Sequence, residues 1–301
     1  MQEWLYYFFP VKKQIEYILF QFLRFIILML PLKSVQVLGK TLGQVSYSVL
    51  TKRRAITLEN LKNAFPEKSD QELKNITKGV FQNIAISICE FLWFPNLTDE
   101  TLRKLVKHKD LDVMTSRYKL GKGMIMLSGH FANWELIAFA TARATKIPFT
   151  MIVKTQTNQK VDRVINRHRT KYGNRAVTME QSVREILSAL NNGGIVAMIA
   201  DQSAPKESVF VEFFGRAVAT YQGPAIFALR TGAPLQMGIL IRQPDFTYEG
   251  IIEEIDYSDI KEYNEQNVIE LTQRHTALLE KYIRKYPEFW MWTHRRWKNI
   301  K

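Results

Sequence analysis

Gly123-Met-Ile-Met-Leu-Ser-Gly-His-Phe-Ala-Asn-Trp-Glu135 is the stretch on which the reading of this chain turns. Its first part, through Leu127, is short, apolar and unbroken, which suits a buried strand. Beyond Asn133, the apolar residues Trp134, Ile137, Ala138 and Ala142 recur at helical spacing. A strand therefore runs into a turn at Ser128-Gly129, and a helix begins just after His130. Inside one regular helix, residues five apart point about 140° from each other, so His130 and Glu135 could not share a proton there. With His130 in the turn and Glu135 in the first turns of the helix, the imidazole can fold back onto the carboxylate. The pair then has the form of a base and its orienter, with one ring nitrogen held and the other open to a proton. The helix N-terminus adds unpaired N–H groups suited to a developing negative charge. The plainer alternative has His130 capping the helix and Glu135 as an exposed acid.

At 301 residues the chain is long enough to bury a full core. Its formal charge of +13 calls for an acidic partner: nucleic acid, anionic lipid or an acidic protein. The single cysteine, Cys89, excludes an internal disulfide framework and sits in an apolar helical stretch as a core filler. Neither HExxH nor CxxC occurs, so neither a metal centre nor another cofactor is expected.

The N-terminus is the second informative region. Residues 17–30 are dense in Ile, Leu and Phe but interrupted by Gln21 and Arg24. That run is shorter than the roughly twenty residues a bilayer span needs, and a mid-run arginine costs on the order of 2.5–3.5 kcal/mol on insertion. Trp4, Tyr6, Tyr7, Phe8 and Phe9 precede it, with Lys12 and Lys13 behind them, a composition suited to a membrane interface. No small-residue cleavage site follows. Residues 15–32 are therefore expected to form a retained membrane helix, tilted or shallow; the alternative is a buried core helix.

Residues 35–92 read as helical. Gly39 and Gly43 are four apart and permit close helix packing; Pro66 ends one helix and Ser69-Asp70-Gln-Glu72 opens the next. From Gly121 onward β-rich runs (124–127, 149–153, 176–178, 195–200, 209–213, 235–241 and 248–254) alternate with helical ones (161–171, 182–191, 223–231 and 262–285). The expected fold class is α/β: a central, mostly parallel or mixed sheet flanked by helices, with an N-terminal membrane-anchoring helix and a helical annex. The expected divisions are an anchor over 1–33, a helical part over 34–110 and an α/β part over 111–301. Sites in such sheets gather at the carboxyl ends of strands, which is where His130 and Asp201-Gln202 fall. Lys160, Arg163, Arg167, Arg169, Lys171 and Arg175 make a basic helix and its exit, either a solvated face or a docking strip for phosphate-bearing partners.

Gly129-His-Phe-Ala-Asn-Trp-Glu135 resembles the His-x4-Asp/Glu signature of glycerolipid acyltransferases, and within them the late acyltransferases of lipid A biosynthesis. Asn60-Leu61 with Phe65-Pro66, Arg169 with Tyr172-Gly173, Asp201-Gln202, residues 209–215, Gly223-Pro224-Ala225 and the tail from Pro287 through Met291-Trp-Thr-His-Arg-Arg-Trp297 follow that family's order. The resemblance covers essentially the whole chain.

It implies transfer of a fatty acyl group from an acyl-thioester, acyl carrier protein or acyl-CoA, to a hydroxyl of a lipid A precursor at the bacterial inner membrane, with the catalytic domain on the cytoplasmic side. His130 is then the base and Glu135 its orienter. Backbone N–H groups near residues 129–132, or Arg169, stabilise the oxyanion. Arg169, Asp201, Asn133 and Gln202, with Arg167 as a fallback, are expected at the substrate. Asp201 would hold the acceptor or brace Arg169. The phenylalanines of 209–215 either line an acyl groove or belong to plain core. His294, Arg295 and Arg296 are expected to meet headgroup phosphate. Three rivals stand beside this reading: an acyltransferase for another glycolipid or aminolipid, a non-catalytic basic protein of an anionic membrane surface, and a nucleic-acid binder. The last rests on charge alone and lacks a recognisable motif, so no nucleic-acid partner is expected.

Overall fold

A computed structural model describes residues 2–300, with side chains from residue 11 onward. The aromatic cluster at residues 4–9 therefore lies outside the described side chains. The first helix, α1 (Gln2–Met29), is followed by α2 (Leu32–Val49), α3 (Thr51–Ala64) and α4 (Asp70–Trp93). Ser69 caps α4: its hydroxyl accepts from the Glu72 N–H while Glu72 reaches back to the Ser69 N–H at 2.9 Å, an arrangement worth about 1 kcal/mol. Gly39 and Gly43 do let α2 press onto α4: a Cβ on Gly43 would sit 2.4 Å from the Gln82 Cα.

Residues 15–32 lie mostly in α1, which does not have the makings of a bilayer span. Among the described residues no helix is long and apolar enough to cross a membrane, because Lys12, Lys13, Glu16 and Arg24 interrupt the apolar run. α1 is instead fastened along the body. Asn158 donates to the Lys13 carbonyl at 2.7 Å, Trp93 to the Leu30 carbonyl at 2.9 Å, and Ile27 is fully buried. Its opposite face leaves Ile15, Ile18, Leu19, Phe22, Phe25 and Met29 exposed.

Next come α5 (Asp99–Leu105), β1 (Val106–His108), α6 (Leu111–Tyr118) and β2 (Met124–Ser128). They are followed by α7 (Trp134–Thr145), β3 (Phe149–Val153), α8 (Gln159–Arg169), β4 (Arg175–Thr178), α9 (Ser182–Asn191) and β5 (Ile195–Ile199). The chain closes with β6 (Val209–Phe213), β7 (Arg216–Thr220), α10 (Gly223–Thr231), β8 (Leu235–Arg242), β9 (Tyr248–Glu254) and α11 (Glu265–Lys285). The main sheet has the order β1-β9-β8-β2-β5-β3-β4 and is parallel except for the β8–β9 pair. Central strands buried on both faces read as continuous apolar runs, as β2 and β5 do. β6 and β7 form a separate hairpin. Its two-residue turn holds Phe214 at φ 52° and Gly215 at φ 72°, the paired positive φ of a tight hairpin turn. Phe213 and Phe214 of this hairpin pack on Trp290, Trp292 and Trp297 in the core. They are plain core, not the wall of an acyl groove.

Candidate active site

β2 and β5 are adjacent and parallel, with Ser128 opposite Ile199. Two residues beyond each strand end stand His130 and Asp201, so the register carries them to the same level. The Asp201 side chain is almost wholly buried. Its Oδ1 accepts from His130 Nδ1–H at 2.7 Å, and its Oδ2 accepts from the His130 backbone N–H at 2.6 Å and from Trp290 Nε1–H at 2.8 Å. One carboxylate thus fixes both the ring and the main chain of the histidine. With Nδ1 donating, the lone pair lies on Nε2, 3.4 Å from the Gln202 amide nitrogen. Gln202 also reaches His294 Nε2 at 3.2 Å. Gly129 is required at this corner, since a Cβ there would fall 2.8 Å from Leu279 and 3.1 Å from Asp201 Oδ2.

The expected His130–Glu135 pair does not form. The helix starts at Trp134, not directly after His130, and the intervening turn aims Glu135 at α8. There it takes a two-pronged ion pair with Arg169, Nε to Oε2 at 2.9 Å and Nη2 to Oε1 at 2.5 Å. Asp201 accordingly braces His130 and not Arg169. Three of the expected backbone oxyanion donors are also engaged. The N–H groups of His130, Phe131 and Ala132 donate to Asp201, to the Gly129 carbonyl and to the Phe289 carbonyl. Asn133 borders the site, but its Oδ1 caps α7 at the Leu136 N–H (3.0 Å) and its amide donates to Glu90 (2.8 Å). Arg167 is exposed on α8 and does not line the cavity.

Burial opposes a charged imidazole, yet the charge and hydrogen bond of Asp201, with a smaller contribution from Glu135, outweigh it and raise the pKa of His130. Burial likewise opposes an ionised Asp201, but its bonds to His130 and Trp290 and the imidazolium charge hold it below the ordinary 3.8. These are two views of one coupled pair.

His130 Nε2 faces a cavity of about 880 Å³, within the usual size of a small-ligand pocket. Its polar end holds His130, Gln202, Glu135, Arg169, Lys154 and His294. Its apolar part runs between the sheet (Met126, Met151, Ala197) and the helices (Phe20, Ile88, Phe91). The basic strip on α8 is largely engaged. Lys160 bonds Gln14, Arg175 pairs with Glu185, and Lys171 donates to carbonyls of residues 94, 95 and 97. In the tail, Arg296 is no headgroup ligand: it is 2% exposed and donates to the Ala219 carbonyl and Thr220 hydroxyl, and burial lowers its pKa to about 10. Other parts of the tail brace the fold and the site. Asn60 holds the carbonyls of Trp292 and His294, and Trp290 holds Asp201. Cys89 is buried core, its thiol pushed up to about 11 by burial. Among the described residues no cluster of His, Cys, Asp and Glu is suited to a metal.

An imidazole–carboxylate pair at the carboxyl ends of parallel strands, open to a largely apolar cavity, suits a group-transferring enzyme. The chain belongs to the bacterial lipid A biosynthesis acyltransferases, whose family model matches residues 10–299, and it is an acyltransferase using a lipid acceptor and an acyl donor. It is 25% identical over 273 residues to the lipid A biosynthesis palmitoleoyltransferase of Escherichia coli K12, covering 89% of this chain and 86% of that one. To the lauroyltransferase of the same organism it is 24% identical over 278 residues, 91% and 88% of the two chains. A shorter match, 25% over 130 residues and 42% of each chain, joins it to the phosphatidylinositol mannoside acyltransferase of Mycolicibacterium smegmatis.

Proposed function

We propose that the protein moves a fatty acyl chain from an acyl-thioester, carried by acyl carrier protein, to a hydroxyl of a lipid A precursor. His130 Nε2 takes the hydroxyl proton as the oxygen attacks the thioester carbonyl. Asp201 holds the ring and stabilises the imidazolium. The observation that carries this reading is the 2.7 Å His130–Asp201 bond at the head of the apolar cavity. Glu135 holds the Arg169 guanidinium at the same cavity. Arg169 and the Gln202 amide, both lining the cavity, are the donors assigned to the charge that develops on the carbonyl oxygen. A thioester is already activated, so no acyl-enzyme is required. Ser128, one of the hydroxyls lining the cavity, donates to the Gly238 carbonyl at 2.8 Å. The imidazolium returns its proton to the departing thiolate. The acyl chain occupies the apolar part of the cavity.

The exposed apolar face of α1 and the charge of +13 support docking on an anionic bilayer, at the cytoplasmic face of the inner membrane. A second acceptor, another glycolipid, is favoured by the similarity to the mannoside acyltransferase. Mass spectrometry of lipids from a strain lacking the gene, complemented with wild type or His130→Ala, tests the assignment. An acyl group on lipid A restored by wild type alone supports it. Restoration by both refutes the mechanism, and a change confined to another lipid replaces the acceptor.

A further inference from the structure

The turn that aims His130 is not self-supporting. Ala132 sits at φ 43°, a region costly for a residue with a side chain. It is held from both sides, its N–H donating to the Phe289 carbonyl at 2.7 Å and its carbonyl accepting from Ser87 Oγ at 2.8 Å. The next residue, Asn133, is 1% exposed, and its amide donates at 2.8 Å to Oε2 of Glu90, a carboxylate on α4 that is itself only 2% exposed. Glu90 Oε2 also accepts from the Tyr248 hydroxyl on β9, while Oε1 accepts from Gln36 Nε2 on α2 at 2.7 Å. The Arg242 guanidinium lies 3.7 Å from Oε2 and donates to Asn83, Ser87 and Tyr248.

We propose that Glu90 is a positioning residue for the transfer reaction: its buried carboxylate fixes the Asn133 side chain, and through it the turn that presents His130 Nε2 to the cavity. A buried carboxylate left without partners is costly, so three donors from α2, the turn and β9 would not converge on one for fold stability alone when apolar packing serves as well. The convergence lies one hydrogen bond from the catalytic corner. Asn133 is the only one of the three donors that belongs to that corner; Gln36 bonds the far oxygen. This separates alignment from stability in one network. The inference rests on His130 being the base.

The test is steady-state kinetics on the full chain, with kcat, KM for donor and acceptor, and Tm measured together. Asn133→Ser retains a capping oxygen for α7 but cannot span to Glu90. It should fold and lose kcat by about ten- to a hundredfold, as displacement of a reacting group does, with both KM values within about twofold. Glu90→Ala should lose kcat similarly, and adding Asn133→Ser to it should cost little more, the non-additivity of one linked pair. Glu90→Gln should restore kcat to within about threefold, because Gln36 can turn its amide to match, leaving the oxygen toward Asn133. Gln36→Ala should lower Tm and leave kcat unchanged. Wild-type kcat per folded molecule in Asn133→Ser overturns the proposal, as does equal kcat loss in Gln36→Ala. If Glu90→Ala does not fold, Asn133→Ser against Gln36→Ala still decides. His130→Ala run alongside separates the two claims: activity there removes the base itself, whereas an inactive His130→Ala beside a normal Asn133→Ser removes only the role of Glu90.

Discussion

His130 and Asp201 meet because two neighbouring strands end level, and that sets the chemistry at the residue scale. The carboxylate raises the pKa of the imidazole above its ordinary 6.5, and only the neutral imidazole can accept a proton. The rate should therefore rise with pH through a midpoint above 6.5. In Asp201→Asn burial is no longer outweighed, so the midpoint should fall while kcat drops about 10²–10⁴-fold; a pH–rate profile of both proteins reads both effects. Glu135→Gln should lower kcat by weakening the clamp on Arg169, yet move the midpoint less than Asp201→Asn does, since Glu135 is the smallest contributor to His130. A larger shift in Glu135→Gln would return the orienting role to that residue. His130, its strand and its turn were legible in the sequence. Its partner was not, because proximity along the chain favoured Glu135, five residues away, over Asp201, which is 71 away. A usable signal was present: each residue stands two positions after an apolar strand. Arg296 gave no such signal, since nothing local distinguishes a buried arginine from a surface one in a tail rich in cations.

At the scale of elements, periodicity located most strands and helices of the α/β part, because apolar runs and turn residues mark them sharply. β1 and α6 escaped, being a three-residue strand and a two-turn helix without strong patterning. β7 escaped because Arg216-Ala-Val-Ala-Thr220 has modest β propensity and gains its place only by pairing with β6. The contact between α2 and α4 was legible from the spacing of its glycines. It yields a sharp expectation: Gly43→Ala drives a methyl group into the backbone of α4 at Gln82, which should cost about 1–3 kcal/mol and show as a lower Tm with kcat per folded molecule retained. An unchanged Tm would mean that the two helices are free to part.

For the whole molecule, α1 joins the cavity and the surface. Phe20 lines the cavity from within, while Phe22 and Phe25, each 64% exposed, face outward. The sequence suggested a retained membrane helix, tilted or shallow, because apolar density alone does not reveal that the other face is packed on α4 and α8. Phe22→Glu with Phe25→Glu should abolish sedimentation with anionic vesicles and leave turnover of a detergent-dispersed acceptor within a few-fold. Undiminished vesicle binding would move the docking surface elsewhere. The proposed transfer depends on the His130 imidazole, and the most direct measurement is acyl transfer by purified His130→Ala with acyl carrier protein thioester and lipid acceptor, with and without added imidazole. The expected result is a fall of about 10²–10⁴-fold at unchanged Tm, partly reversed by imidazole entering the space the side chain left. Transfer at near the wild-type rate without imidazole would contradict it.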